Sequence, residues 1–142
     1  MCLIVDANLC SVVFKNTKDT AYKSLRDAIF SNRVTLIHGG KLSEEYARVG
    51  VLPLIANLAQ SGRAIKIDDA LIDVQLLQIK GACLSNDDHV IALARADRKR
   101  ARVLCTHDEA LRSDFKNKLL IDQPRGTVYS PSRHKASLAN CK

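Results

Sequence analysis

The sequence contains no tryptophan, and phenylalanine and tyrosine together supply only six residues. Proteins that bind single-stranded nucleic acid by stacking its bases need aromatic platforms, so this composition argues against such a surface. The core must instead be aliphatic, and hydrophobic residues make up 46% of the chain. With 142 residues, the chain is long enough for one domain with a genuine core.

Paired cysteine motifs are also missing. The five cysteines are scattered, odd in number and form no Cys-x-x-Cys pair. A structural zinc site or a disulfide framework needs closer or paired spacings, so both are disfavoured. Cys2 and Cys105 lie within apolar runs, where a free thiol behaves as a small hydrophobic side chain. We therefore expect reduced, buried thiols.

Long apolar runs are absent near the beginning of the sequence. The first residues reach an acid at Asp6 without a basic leader, a long apolar segment or a cleavage site. We therefore expect neither a signal peptide nor a membrane anchor. The expected location is the cytoplasm.

The positive charge is concentrated in the last third of the chain. The first 97 residues carry equal numbers of basic and acidic side chains, so the whole net charge of +7 arises from residues 98–142. A neutral body with a basic end suggests a polyanionic partner. The alternative is a solvated basic tail that aids solubility.

Short apolar runs alternate with helical patterns along the chain. The runs predict buried strands at residues 3–5, 34–37, 64–67 and 102–106, with weaker strand signals at 119–121 and 127–129. Helices are predicted at residues 21–29, from about Ser43 to near Gly62, at 69–80, through 90–94 and from Asp108 to about Lys116. Asn16 or Thr17 is the expected cap of the first helix, and Ser85 or Asn86 that of the helix through 90–94. Pro53 is expected to bend or divide the second helix. This alternation predicts an α/β fold, a three-layer α/β/α sandwich with a mostly parallel central sheet. We place the domain at residues 1–130 and a basic polar tail at 131–142.

Acidic side chains from distant parts of the chain are predicted to meet at one edge of this sheet. Asp6 directly follows the first strand, and Asp108 follows the fourth after one intervening residue. Glu45 lies in the first turn of the helix after strand two, and Asp87 and Asp88 open the helix that leads into strand four. Both helices begin at the carboxyl edge of the parallel sheet, where sites gather in such folds.

A cluster of this kind indicates a bound cation. Neighbouring carboxylates repel one another and raise one another's pKa, so they are poorly tolerated without a counter-ion. Oxygen ligands favour Mg²⁺ or Mn²⁺, which suit phosphate ester hydrolysis. Helix capping is the alternative role for each acid except Asp6, which has no obvious capping duty. Asp114 could join from the next helical turn, although we expect a solvated surface position.

Four short motifs resemble those of the PIN-domain nucleases, which include the VapC-type toxins of bacterial toxin–antitoxin pairs. They are Ile4–Asn8, Leu42–Tyr46, Asp88–Ala94 and Leu104–Asp108. The resemblance covers residues 2 to about 116. It implies a PIN-like fold and cleavage of single-stranded RNA that depends on Mg²⁺ or Mn²⁺.

The resemblance also implies roles for individual residues. It implies that the metal is bound by Asp6, Glu45, Asp88 and Asp108, and that Thr106 supports the site by hydrogen bonding. Asp88 is preferred to Asp87 because it stands in the D-x-x-I-A-x-A position. Apart from the resemblance, we expect Asn8, Asp87 and Asp114 to support the site, and we expect His89 to face solvent.

Partners follow from the charge distribution and from the same resemblance. The side chains expected to reach RNA phosphates are Arg112, Lys116, Arg133 and Lys135. A toxin of this kind implies an antitoxin that blocks the acidic edge, and a homodimer.

Two other function classes stay open. A non-catalytic PIN-like module would bind RNA or protein without metal-dependent cleavage. A receiver-type phosphorylation domain is suggested by Asp68 and Asp69 after the third strand and by Thr106 after the fourth. A receiver also needs an acid pair after strand one, where this chain has only Asp6, and it leaves Glu45 without a role.

Overall fold

The central sheet has five parallel strands in the spatial order β3-β2-β1-β4-β5. The computed structural model describes residues 2–16, 18–97, 101–121 and 126–131, without the side chains of residues 101 and 102. The strands are β1 (Cys2–Val5), β2 (Thr35–His38), β3 (Ala64–Lys66), β4 (Ala101–Cys105) and β5 (Thr127–Val128). Together with the helices they form the predicted α/β/α sandwich, with the sheet as its middle layer.

Six α-helices of eight residues or more accompany the sheet in the described part of the chain. They are α1 (Lys23–Phe30), α2 (Gly40–Arg48), α3 (Leu52–Gln60), α4 (Asp69–Ile79), α5 (Asp88–Ala96) and α6 (Glu109–Lys116). The prediction that Pro53 divides the second helical segment is confirmed, because α3 starts with this proline in its first turn. Proline is tolerated there since the first helical N–H groups have no partner within the helix.

Several element boundaries differ from the predictions. The segment after β1 forms a 3₁₀ turn at Ala7–Leu9 and a π turn at Ser11–Lys15, neither of which was predicted. Tyr22 is the N-cap residue of α1, so the predicted cap at Asn16 or Thr17 is wrong. Thr17 itself lies outside the described residues. Residues 119–121 form a turn and not a strand.

The sheet's central position explains why β1 is apolar throughout. All four residues of β1 and of β2 are buried, whereas the short edge strand β3 has one exposed residue. A strand covered by helices on both faces has no solvated face, so it carries a continuous apolar run. Asp6, the residue that follows β1, therefore lies at the carboxyl edge of the sheet.

The state of the cysteines and the absence of a membrane-spanning segment were both predicted from the sequence. Cys10, Cys83 and Cys105 are free thiols, but Cys2 is disulfide-bonded, so the prediction of reduced thiols is wrong for Cys2. Among the helices described, none has the length and apolar character needed to span a bilayer.

Candidate metal centre

Asp6 lies at the middle of the sheet's carboxyl edge because β1 is the central strand. The pairing of β1 with β4 sets Val5 beside Cys105. The residues that follow, Asp6 and Thr106, therefore lie side by side. The Thr106 hydroxyl donates a 2.6 Å hydrogen bond to Oδ2 of Asp6. The backbone N–H of Asp6 continues the ladder by donating to the Cys105 carbonyl at 2.9 Å. Both the backbone and the side chain of Asp6 are thus fixed.

The Asp6 carboxylate occupies an electrostatically unfavourable position. Its residue is only 4% exposed, and burial raises the pKa of this carboxyl above its ordinary value. The negative charges of Asp87 and Glu45 raise the pKa further, while the Thr106 hydrogen bond opposes the shift. A buried carboxylate that faces two other acids is a position that a cation would stabilise.

Asp108 joins the cluster while it also caps a helix. Its Oδ1 accepts the backbone N–H of Leu111 at 3.1 Å, which makes it the N-cap of α6. Its own N–H donates to the Thr106 hydroxyl at 3.0 Å, and its Oδ2 lies 3.5 Å from the Ser85 hydroxyl. Asp108 therefore does cap a helix, as the alternative to metal binding predicted. Its second oxygen, Oδ2, points toward Ser85.

Asp87 lies at the N-cap position of α5, but its side chain makes no capping hydrogen bond. Burial raises the pKa of its carboxyl, and the nearby charges of Glu45 and Asp108 act in the same direction. The interaction with His89 partly opposes this shift. The side chain of Asp87 therefore does not cap its own helix and interacts with Glu45, Asp108 and His89. The cap predicted at Ser85 or Asn86 is displaced to this residue.

Glu45 approaches the cluster from α2. That helix begins at Gly40, so Glu45 lies in its second turn and the prediction of a first-turn position is wrong. Ligand atoms of Glu45, Asp87 and His89 all lie within 4.8 Å of one another. His89 is 4% exposed and its Nε2 lies 3.2 Å from Oε2 of Glu45. The expectation that His89 faces solvent is therefore wrong.

Asp88 is placed differently from its neighbour. It lines a surface pocket together with Asp73, Leu76 and Leu77 of α4 and with Lys80, which follows that helix. It is not part of the three-residue group that Asp87 forms with Glu45 and His89. The structure thus places ligand atoms of Glu45, Asp87 and His89 within 4.8 Å of one another. Asp6 and Asp108 lie outside that group but interact electrostatically with Asp87, whereas Asp88 lines the pocket beside α4.

The residues predicted to support the site have varied positions. Thr106 bonds both Asp6 and the backbone of Asp108, as described above. Asn8 is exposed in the 3₁₀ turn that follows Asp6. Asp114 is only 1% exposed, so the expectation of a solvated surface acid is wrong.

Asp114 has a structural function next to the acid cluster. Its two carboxylate oxygens accept the backbone N–H groups of Leu84 and Ser85, each at 2.9 Å. The Ser85 hydroxyl in turn accepts the N–H of Asp87 at 2.9 Å. Asp114 therefore fixes the segment that presents Asp87. No sequence pattern indicates this role, because the bonds join residues about thirty positions apart.

We expect Asp114→Ala to destabilise the protein by roughly 3 kcal/mol, because two charge-assisted hydrogen bonds are lost and buried amide groups lose their acceptors. The free energy of unfolding in urea measures the loss. Asp114→Asn keeps one acceptor oxygen and should lose less. Equal stability of Asp114→Ala and wild type would show that these bonds do not hold the segment.

The basic residues predicted to contact RNA are described only in part. Arg112 is half-buried on α6, and its Nε donates to the Thr106 carbonyl at 3.0 Å. Lys116 is exposed at the end of the same helix. Arg133 and Lys135 lie outside the described residues, as does most of the predicted tail.

The acids that suggested a receiver domain have local partners. Asp68 caps α4 by accepting the N–H of Ala70 at 2.9 Å, and Asp69 accepts the N–H of Gly40 at 3.2 Å. They follow the edge strand β3, which β2 separates from β1. Neither residue is therefore adjacent to Asp6 in the sheet.

The donor set of the cluster fits a divalent cation. Carboxylate oxygens are the ligands that Mg²⁺ and Mn²⁺ prefer, and an imidazole nitrogen is also compatible with Mn²⁺. Burial raises the pKa of Asp6 and of Asp87, as expected for carboxylates held together without a compensating charge. The Cys10 thiol is not part of the group formed by Glu45, Asp87 and His89, and burial raises the pKa of this thiol to about 12.

No protein-family model and no curated protein matches the sequence. Among solved structures, the chain is similar to FitAcB from Neisseria gonorrhoeae, with a TM-score of 0.53 and 17% sequence identity. The match covers 94% of this chain and 99% of that chain. At this level of identity the likeness shows the fold alone, and the predicted three-layer α/β/α architecture is confirmed.

Proposed function

We propose that this protein is a metal-dependent endoribonuclease whose Mg²⁺ or Mn²⁺ is held by Asp6, Glu45, Asp87 and Asp108. The observation that supports this most strongly is the convergence of these acids at one sheet edge. They come from four distant parts of the chain, and the charges of Glu45 and Asp87 act on the carboxylate of Asp6, which is almost fully buried. Helix capping accounts for Asp108 but not for the buried Asp6 with Glu45 and Asp87 beside it, so a bound cation is the physical reason that we propose for the arrangement.

The chain's own contribution is to hold these oxygens in fixed positions. Thr106 orients Asp6 and the backbone of Asp108 through one hydroxyl, and Ser85 fixes the backbone of Asp87. A divalent cation bound to such a set orients a phosphodiester, acidifies a water molecule and stabilises the leaving oxygen. Positioning by surrounding hydrogen bonds is what makes ligand groups effective.

RNA is the substrate that the remaining observations favour. The net charge of +7 arises from the last third of the chain, which indicates a polyanion. Arg112 lies beside the cluster through the bond from its Nε to the Thr106 carbonyl. Its Nη1 lies 3.6 Å from the exposed carboxylate of Glu109, a surface pair that a phosphate can replace. The preference for RNA over DNA rests on the resemblance to PIN-domain nucleases.

The same resemblance suggests a biological setting. We propose that the protein is the toxin of a toxin–antitoxin pair, that an antitoxin covers the acidic edge and that the chain forms a homodimer. Growth arrest on expression, relieved by a co-expressed partner, would support the toxin role.

A non-catalytic PIN-like binding module is the second candidate. It would bind RNA equally well with and without divalent cations and would not cleave it. The acid cluster opposes this function, because anionic side chains repel a polyanion unless a cation lies between them.

The test of the proposed function is cleavage of single-stranded RNA by the purified chain. We expect cleavage with Mg²⁺ or Mn²⁺, none with excess EDTA, and recovery when Mn²⁺ is restored. A single-stranded DNA of the same sequence serves as the substrate control. Cleavage that persists in EDTA would contradict the proposal, as would stable RNA binding without cleavage in either metal.

We expect Arg112→Ala to raise KM for RNA about tenfold while kcat changes less, because one phosphate contact is worth about 1–2 kcal/mol. The dependence of affinity on salt should also become shallower. Lys116→Ala, one helical turn further along α6, is the matched control and should have the smaller effect. An unchanged KM and salt dependence in Arg112→Ala would remove this residue from the RNA-binding surface.

A further inference from the structure

His89 is the second residue of α5 and is enclosed by its surroundings. Residues from His89 to Ala94 are all buried, so this part of the helix presents no solvated face. The imidazole side chain is 5% exposed and its Nε2 lies 3.2 Å from Oε2 of Glu45, which is 19% exposed. A side chain so enclosed can act on the carboxylate beside it but is poorly placed to contact an RNA directly.

The other ring nitrogen identifies the tautomer. Nδ1 is buried and has no hydrogen-bond partner within the described part of the chain. If Nδ1 carried the hydrogen, a buried donor would lack an acceptor, and the lone pair of Nε2 would face a carboxylate oxygen. If Nε2 carries it, the ring donates to Glu45 and only a lone pair stays unsatisfied. The second arrangement costs less free energy.

We propose that His89 is a positioning residue that donates its Nε2–H to Glu45 and holds this carboxylate toward Asp87 for the metal ion. The inference rests on the proposed function, since it concerns the same metal centre. An unrestrained glutamate side chain loses considerable rotamer entropy when it is ordered. The buried imidazole imposes that order before a cation arrives, and carboxylate ligands of metal ions are commonly held by such hydrogen bonds.

Direct coordination by Nε2 is the competing role for His89. It would require the hydrogen to move to Nδ1, where the described residues offer no acceptor. Histidine ligands usually donate their other N–H to a carboxylate, a carbonyl or water. The environment of Nδ1 therefore favours the positioning role.

The test compares two substitutions that differ in their ability to donate to Glu45. The side-chain amide of glutamine in His89→Gln can reach the position of Nε2, whereas His89→Leu fills similar space without a donor. We expect His89→Leu to weaken Mn²⁺ binding about 10- to 100-fold, measured by calorimetry, and His89→Gln to retain wild-type affinity. If His89→Leu fails to fold, His89→Asn replaces it, because its shorter amide overlays Nδ1 and does not reach Glu45.

A second measurement separates positioning from coordination. The pulsed electron paramagnetic resonance spectrum of Mn²⁺ bound to the wild type should show no coupling to a histidine nitrogen. Nitrogen coupling, or a loss of affinity in His89→Gln equal to that in His89→Leu, would overturn the positioning role. Unchanged affinity in both variants would overturn it as well. Failure of the wild type to cleave RNA despite normal Mn²⁺ binding would contradict the proposed function but not the role of His89.

Discussion

Asp6→Asn is expected to reduce metal-dependent RNA cleavage by at least about 100-fold, because it removes the buried central charge of the site. Asparagine has nearly the same shape and keeps an oxygen that can accept the Thr106 hydroxyl. The loss should therefore reflect charge and not packing. Mn²⁺ affinity should fall in parallel, which calorimetry on the same samples would measure.

The same substitution is expected to stabilise the metal-free protein at neutral pH. Burial raises the pKa of Asp6 in the folded state, so the folded protein binds this proton more tightly than the unfolded chain. Stability from this group is complete below the unfolded pKa and is lost as the pH rises through the folded pKa. Asparagine does not ionise, so the advantage of Asp6→Asn should appear over that interval and persist above it.

Thermal melting in EDTA at pH 4 and pH 7 measures this difference. Asp27→Asn is the matched control, because Asp27 lies at the surface and pairs with Lys23. It should leave cleavage unchanged. Full cleavage by Asp6→Asn would remove Asp6 from the mechanism, and a lower melting temperature at pH 7 would contradict the electrostatic account of the site.

Asp87→Asn is also expected to reduce cleavage by at least about 100-fold, for the same reason. Asp88→Asn, one residue along, should stay within about threefold of the wild type, since peripheral substitutions cost at most about 0.5 kcal/mol. The two variants share a helix terminus, a charge change and a side-chain shape. A difference in cleavage rate between the two variants therefore reports which of the two carboxylates points into the acid cluster.

Initial rates with saturating Mn²⁺, supported by Mn²⁺ affinities, provide the comparison. The sequence motif favoured Asp88, whereas the geometry favours Asp87, which forms one group with Glu45 and His89. A large loss in Asp88→Asn together with normal activity in Asp87→Asn would restore the motif-based choice. Equal losses would require both carboxylates in the site.

The parts of the site that follow from strand topology could be predicted from the sequence. A continuous apolar run marks β1 as a central strand, and the residue after such a strand must emerge at the carboxyl edge. The same argument located Asp108 after β4. Helices that lead into or away from these strands brought Glu45 and the Asp87 region to that edge.

The remaining details depend on side-chain directions that a sequence pattern does not determine. Asp87 and Asp88 differ by one position, which is about 100° around a helix, and only the N-cap geometry decides which one faces the cluster. The burial of His89 could have been suspected, because residues 89–94 of α5 lack a polar face. The hydrogen bonds between Asp114 and the backbone of Leu84 and Ser85 could not be predicted from the sequence, because they depend on the tertiary packing of a loop.

The most direct measurement of the central claim is anomalous X-ray diffraction from crystals grown with MnCl₂. We predict a Mn²⁺ peak at the carboxyl edge of the sheet, coordinated by oxygens of Asp6 and its neighbours Glu45, Asp87 and Asp108. Crystals of Asp6→Asn grown in the same way should lack that peak. A fully occupied Mn²⁺ elsewhere on the protein, with none at this edge in the wild type, would contradict the account.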